Sequence, residues 1–182
     1  MLKTSDILDE NNKILRKTSE DVIFPLEKKD FDAIDSMIEY LKNSQIDELA
    51  EKYNLRPGMG MSAIQLGIAK RYLVIVHEFE DDLFDEYIIV NPKVVSTSQE
   101  KIYVEDGEGC LSINRPTTGI VPRHARITVE GFDEKGNKIR IRAREELAIC
   151  FQHEIDHLNG ILFTDHIDKK SPFKNADKYR SI

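Results

Sequence analysis

The segment His153-Glu-Ile-Asp-His157 has the residue types and spacing of a site that does chemistry. Histidines four positions apart on a helix lie one turn apart on one face, so both imidazoles can grip one metal ion. Glu154, next in sequence to one of them, can reach a water on that ion and act as general acid/base in a hydrolysis. The plain alternative is an amphipathic helix that happens to hold two histidines and a glutamate, because so short a pattern does arise by chance. The neighbours weigh against it. Leu147, Ile149, Cys150 and Leu158 make the segment apolar enough to be buried, where histidine and glutamate without a shared task are costly.

Two histidines do not complete a catalytic site. The continuation HExxHxxGxxH of one protease class fits Gly160 but finds Phe163 where its third histidine would stand. The third ligand therefore comes from elsewhere, and Cys110 in Glu108-Gly-Cys-Leu-Ser112 is the best candidate. Its thiolate would complete a two-nitrogen, one-sulfur set and leave a fourth position for water. His77, His124, His166 and Asp165 are weaker candidates, because none sits in a motif. A purely structural zinc site would want a fourth protein ligand. Cys150 reads as a small buried hydrophobe, and two cysteines do not make a disulfide framework.

A third segment, Gly58-Met-Gly-Met-Ser-Ala-Ile-Gln-Leu-Gly67, carries three glycines in ten residues, which permit close backbone approach to a ligand. It lacks the Gly-Lys-Ser/Thr ending of a phosphate-binding P-loop, and its third glycine is misplaced for the dinucleotide fingerprint. Gln65 offers an uncharged amide donor, suited to an oxyanion rather than a phosphate.

Several elements must position these residues. Phe31, Ile34, Ile38 and Leu41 recur at helical spacing after Pro25, and the helix is expected to run through Tyr53 until Arg56-Pro57-Gly58 breaks it. Residues 71–79 and 86–91 read as strands, with Pro92 ending the second. Residues 93–97 and 101–105 read as short strands, and 125–132 with 138–142 as a hairpin. The second helix is expected from Ala143 to Leu158, stopped by Asn159-Gly160. Together these predict one α+β domain over 1–182: mostly antiparallel sheets packed around a central HExxH-bearing helix, with an N-terminal helix. The segment 168–182 holds five basic residues against two acids and reads as a flexible basic tail.

Taken together and in order, the three motifs resemble the peptide deformylases. That family carries a GxGxAAxQ loop, an EGCLS turn and a QHExDH helix, and the likeness spans nearly the whole chain. Residues 111–122 and the chain's end are similar to the second, Gram-positive-type subclass. Ser62 and Ile64 depart from the family's usual Ala and Pro, and both read as packing positions without catalytic chemistry. The resemblance implies removal of the N-formyl group from the initiator methionine of new polypeptides. It implies that Cys110, His153 and His157 bind one divalent metal, Fe2+ natively, with Zn2+, Ni2+ or Co2+ as substitutes. Glu154 would be the general acid/base, and Gln65 with the Leu111 N–H would hold the oxyanion. Gly60 and Gly109 would hydrogen-bond the substrate backbone, while Met59, Ile149 and Cys150 would line the methionine pocket. Glu108 would pair with Arg123, and Asp156 would orient a ligand or that arginine.

The bulk numbers agree with such a reading. With 26 basic and 33 acidic residues the net charge is −7, which disfavours broad binding to DNA backbones. No apolar run is long enough for a membrane span and no secretory signal is present, so the expected address is the cytoplasm. A monomer with formylmethionyl nascent chains as partners, and a passing ribosome contact through the basic tail, complete the expectation. Two rivals stand beside it. A zinc endopeptidase would use the HExxH pair without needing Cys110, and an inactive relative would only bind peptide termini.

Overall fold

Tyr72-Leu-Val-Ile-Val76 is apolar at every position and fully buried. A strand points successive side chains to opposite faces, so this run needs cover on both sides of its sheet. The computed structural model describes residues 1–80 and 83–182, and it supplies that cover with two helices. Among the described residues the α-helices are α1 (Lys28–Gln45), α2 (Asp47–Tyr53) and α3 (Glu145–Leu158). The strands are β1 (Gly60–Ser62), β2 (Tyr72–Glu80), β3 (Leu83–Thr97), β4 (Lys101–Tyr103), β5 (Arg123–His124), β6 (Arg126–Phe132), β7 (Lys138–Arg144) and β8 (Arg180–Ser181).

One antiparallel sheet has the order β1-β2-β3-β6-β7, and a second has β5-β4-β8, with β4 and β8 parallel. Ile34, Met37, Tyr40 and Leu41 of α1 pack with Tyr72, Val74 and Val76 on one face of the larger sheet. Leu73, Ile75, Ile89 and Val129 pack on the other face with Ala148, Phe151, Ile155 and Leu158 of α3. The sheet therefore clamps α3 through its apolar side and leaves the HExxH side turned toward β1 and the loop after β4.

The α+β class and the antiparallel sheet agree with the sequence reading, while several boundaries are corrected. The expected long helix breaks at Ile46, which is extended, and α2 stops at Asn54 in the left-handed region at φ 51° rather than at Arg56-Pro57-Gly58. Asparagine tolerates that conformation as a C-terminal cap. The apolar stripe of α1 is rotated from the expected one. Met37 and Tyr40 are buried, whereas Phe31 remains 37% exposed.

Pro92 does not end its strand. β3 continues through it because the register slips between Val90 and Lys93, and proline fits such a bulge, where the ladder is already interrupted. Helix α3 begins at Glu145 rather than Ala143, since β7 runs on through Arg144. Glu145 takes φ 53° at the corner and donates its N–H to Ala125 O at 2.9 Å. The hairpin's first strand starts at Arg126, because the chain changes sheets at buried Ala125. The strand expected over 101–105 spans Lys101–Tyr103. Arg180–Ser181 pair with β4, and Arg180 bridges Glu145 at 2.8 Å and Glu100 at 3.1 Å.

Candidate metal centre and catalytic cleft

Helix α3 presents His153 and His157 one turn apart, with ring centroids 5.0 Å apart. Cys110 arrives from the loop after β4, and its Sγ lies 3.2 Å from His157 Nε2. One ligand atom from each of the three residues lies within 4.8 Å of the others. Metal–ligand bonds of about 2.0–2.3 Å in a tetrahedral site place ligands about 3.5 Å apart, so the cluster needs little adjustment to close on an ion. Phe163, which occupies the position of the missing third histidine, instead stacks on His153 with centroids 5.8 Å apart.

The protonation states suit a cation. Burial, followed by the nearby His153, holds His157 well below its ordinary pKa, so the ring is neutral as a ligand must be. Its Nδ1 is buried without a hydrogen-bond partner among the described residues. His153 goes the other way. Burial opposes charge on it, yet hydrogen bonds to Cys110 and Glu108 raise it well above its ordinary value. That field stabilises positive charge, which a metal on Nε2 supplies as well as a proton does.

Glu108 fixes which nitrogen of His153 faces the cysteine, because its Oε2 accepts from Nδ1 at 2.8 Å. The same carboxylate binds Arg123 through Nε at 2.7 Å and Nη2 at 3.0 Å. Burial pushes Glu108 up, but the His153 and Arg123 hydrogen bonds outweigh it and bring its pKa to about 2. The Asp156 carboxylate takes Arg123 Nη1 at 2.5 Å and His166 Nε2 at 2.7 Å.

Around the centre lies a cleft of about 310 Å3. Met59, Gly60, Gln65, Glu108, Gly109, Cys110, Leu111, Ile149, Cys150, His153 and Glu154 all line it. His157, Arg123 and Asp156 are not lining residues and stand behind them. Burial raises the carboxyl pKa of Glu154, which moves it toward the range useful for proton transfer near neutrality. Gln65 accepts Ser62 N–H through Oε1 at 2.8 Å, which turns Nε2 toward Ser112 Oγ at 3.1 Å and toward Cys110. The Leu111 N–H has no hydrogen-bond partner among the described residues. Gly60 is required by space, since a Cβ there would lie 2.7 Å from Glu154 Oε1 and 2.8 Å from Cys150 Sγ.

The weaker ligand candidates have other occupations. His124 Nδ1 meets Ser98 O at 2.7 Å, Asp165 pairs with Arg16, and His77 lies on β2 away from the cluster. Sequence reasoning missed Arg56 and did not foresee the contacts of Ser62. Arg56 donates to the carbonyls of Cys110 at 3.1 Å, Leu111 at 3.2 Å and Ile113 at 3.0 Å, holding the cysteine loop from beneath. Ser62, read as a packing position, places its hydroxyl 2.8 Å from both Glu154 Oε2 and Glu154 O. The sequence flagged Arg56 only as a helix breaker. No local pattern connects it to carbonyls more than fifty residues away.

Residues 4–173 match the family described as Polypeptide deformylase. Peptide deformylase of Shouchella clausii is 49% identical over 175 residues, 96% of each chain. Peptide deformylase 2 of Bacillus anthracis is 44% identical over 177 residues, covering 97% of this chain and 96% of that one. A crystal structure of peptide deformylase from Ehrlichia chaffeensis superposes with TM-score 0.70 at 35% identity, over 91% of this chain and 89% of the other. A plant peptide deformylase crystal structure gives TM-score 0.75 at 26% identity, over 90% and 80%. With the Cys-His-His cluster at the cleft and this agreement over almost its full length, the chain belongs to the polypeptide deformylase family.

Proposed function

We propose that this chain hydrolyses the N-formyl group of formylmethionine at the start of new polypeptides, yielding formate and a free amine. The observation that carries the reading is the Cys110-His153-His157 cluster beside Glu154 at an apolar cleft. One divalent cation fits this donor set, with Fe2+ as the native ion and Zn2+, Ni2+ or Co2+ as substitutes. Held there, the ion supplies Lewis acidity that lowers the pKa of a water toward neutrality.

The chain's own residues do the rest. Glu154 takes the water proton and passes it to the leaving amine. Negative charge develops on the formyl oxygen, and the Gln65 amide with the Leu111 N–H receives it, each donor worth about 3–4 kcal/mol in comparable sites. Gly60 and Gly109 bond the peptide backbone as an added strand. Met59, Ile149 and Cys150 take the methionine side chain in the cleft they line. The formyl group carries no side chain, so a cramped site beside the metal would reject larger acyl groups.

No helix among the described residues is long and apolar enough to cross a membrane. A cytoplasmic monomer of the Gram-positive-type subclass, meeting the ribosome in passing, belongs to the same reading. Nascent formylmethionyl chains would be its partners. An endopeptidase role is disfavoured by Cys110, which that chemistry would not need. An inactive relative is disfavoured by the intact Glu154, Gln65 and Cys110.

The test is formate release from an N-formyl-Met peptide by protein purified without oxygen. Release without cleavage of internal peptide bonds supports the reading. Internal cleavage instead selects the endopeptidase.

A further inference from the structure

Ser62 touches both halves of the proposed acid/base and oxyanion machinery and is fully buried. Its N–H donates to Gln65 Oε1, a service that any residue except proline can give. Its hydroxyl is different, since the resemblance has alanine here in most members. Oγ lies 2.8 Å from Glu154 Oε2 and 2.8 Å from the Glu154 carbonyl oxygen. Glu154 Oε1, by contrast, has no hydrogen-bond partner among the described residues and is not sealed within the protein. It lies on the Gly60 side of the carboxylate, where the cleft opens.

We propose that Ser62 is a positioning residue for the deformylation reaction, anchoring Glu154 Oε2 so that Oε1 alone faces the reacting water. This inference rests on the reading of Glu154 as the acid/base. An unanchored carboxylate turns about its last bond, whose preference is broad, and spends part of its time with neither oxygen aimed. The anchor costs the substrate nothing, because Ser62 is not a residue of the cleft wall. Its contribution therefore falls on turnover rather than on binding. A mispositioned carboxylate still occupies the site, so the expected effect is moderate, about tenfold, as for loss of one hydrogen bond to a charged group.

The experiment compares wild type, Ser62→Ala, Ser62→Thr and Glu154→Gln, all metal-loaded, by formate release from an N-formyl-Met peptide. Wild-type release with loss in Glu154→Gln tests the underlying reading separately. Given that, Ser62→Ala is expected to lose about tenfold in kcat, with KM and bound metal unchanged. The alanine common at this position in the family makes a folding failure unexpected, and the thermal midpoint checks it. Ser62→Thr, which keeps the hydroxyl, is expected to recover most of kcat. A Ser62→Ala kcat within about twofold of wild type overturns the proposal. So does a loss that appears in KM, or one that follows metal content.

Discussion

The Glu108 carboxylate sits 2.8 Å from His153 Nδ1, and that single contact decides which imidazole nitrogen is left to face Cys110. Arg123 binds the same carboxylate, so the orientation of His153, a proposed metal ligand, is set one layer behind the Cys-His-His cluster. Such partners are usually worth 10–100-fold in metal affinity. Glu108→Ala is therefore expected to weaken metal binding by about 10–100-fold, read by competition with a chelator of known affinity. An affinity equal to wild type would remove Glu108 from this role.

Arg123 itself is buried and shared between two carboxylates, Glu108 and Asp156. A buried ion pair adds little against an apolar replacement of the whole group, but breaking one side leaves charge stranded. Arg123→Met takes the guanidinium from both carboxylates, leaving Glu108 only His153 and Asp156 only His166, and the expected loss is about 3–5 kcal/mol in denaturant unfolding. A loss under about 1 kcal/mol would mean that water reaches Glu108 freely.

The pH dependence follows from the same group. Glu108 has a pKa of about 2 in the fold against an ordinary 4.5; burial opposes this depression, and the His153 and Arg123 hydrogen bonds produce it. A depressed carboxyl contributes stability that is fully present above pH 4.5 and lost as pH falls toward 2. The contribution is on the order of 3 kcal/mol. Metal-free wild type is expected to lose stability more steeply than metal-free Glu108→Gln across that window, followed by denaturant melts at each pH. Parallel curves would contradict it.

The two glycines assigned to the substrate backbone should behave differently. A Cβ on Gly60 collides with Glu154 Oε1 and Cys150 Sγ, whereas one on Gly109 meets nothing within 4 Å. Displacing a reacting group by about 1 Å can cost roughly a hundredfold. Gly60→Ala is expected to lose about that much in kcat/KM, and Gly109→Ala no more than about threefold. Equal losses in both would place the constraint in the backbone rather than in the crowding at Gly60.

What was legible in the sequence was what short spacing encodes. The His153/His157 pair shows because α3 repeats every turn, and the β6–β7 hairpin shows because alternation and a turn suffice to encode it. What was hidden depends on distant partners. Pro92 looked like a strand end because the bulge in β3 that accommodates it shows only in the pairing of β3 with β6. Arg56 looked like a breaker because the carbonyls it serves lie across the fold. The contacts of Asp156 with Arg123 and His166 were hidden because they depend on three-dimensional approach. Ser62 looked inert because alanine and serine pack alike, and only the position of Glu154 gives its hydroxyl a partner.

The proposed roles of Cys110, holding the metal, and Glu154, moving the proton, separate in one comparison. Metal content and formate release are measured together for wild type, Cys110→Ala and Glu154→Gln prepared without oxygen. Glu154→Gln is expected to keep its metal and lose turnover by about a hundredfold or more, as for loss of a general acid/base. Cys110→Ala is expected to lose metal and turnover together. A Glu154→Gln protein that releases formate at the wild-type rate, or a Cys110→Ala protein that keeps both metal and activity, would contradict those roles.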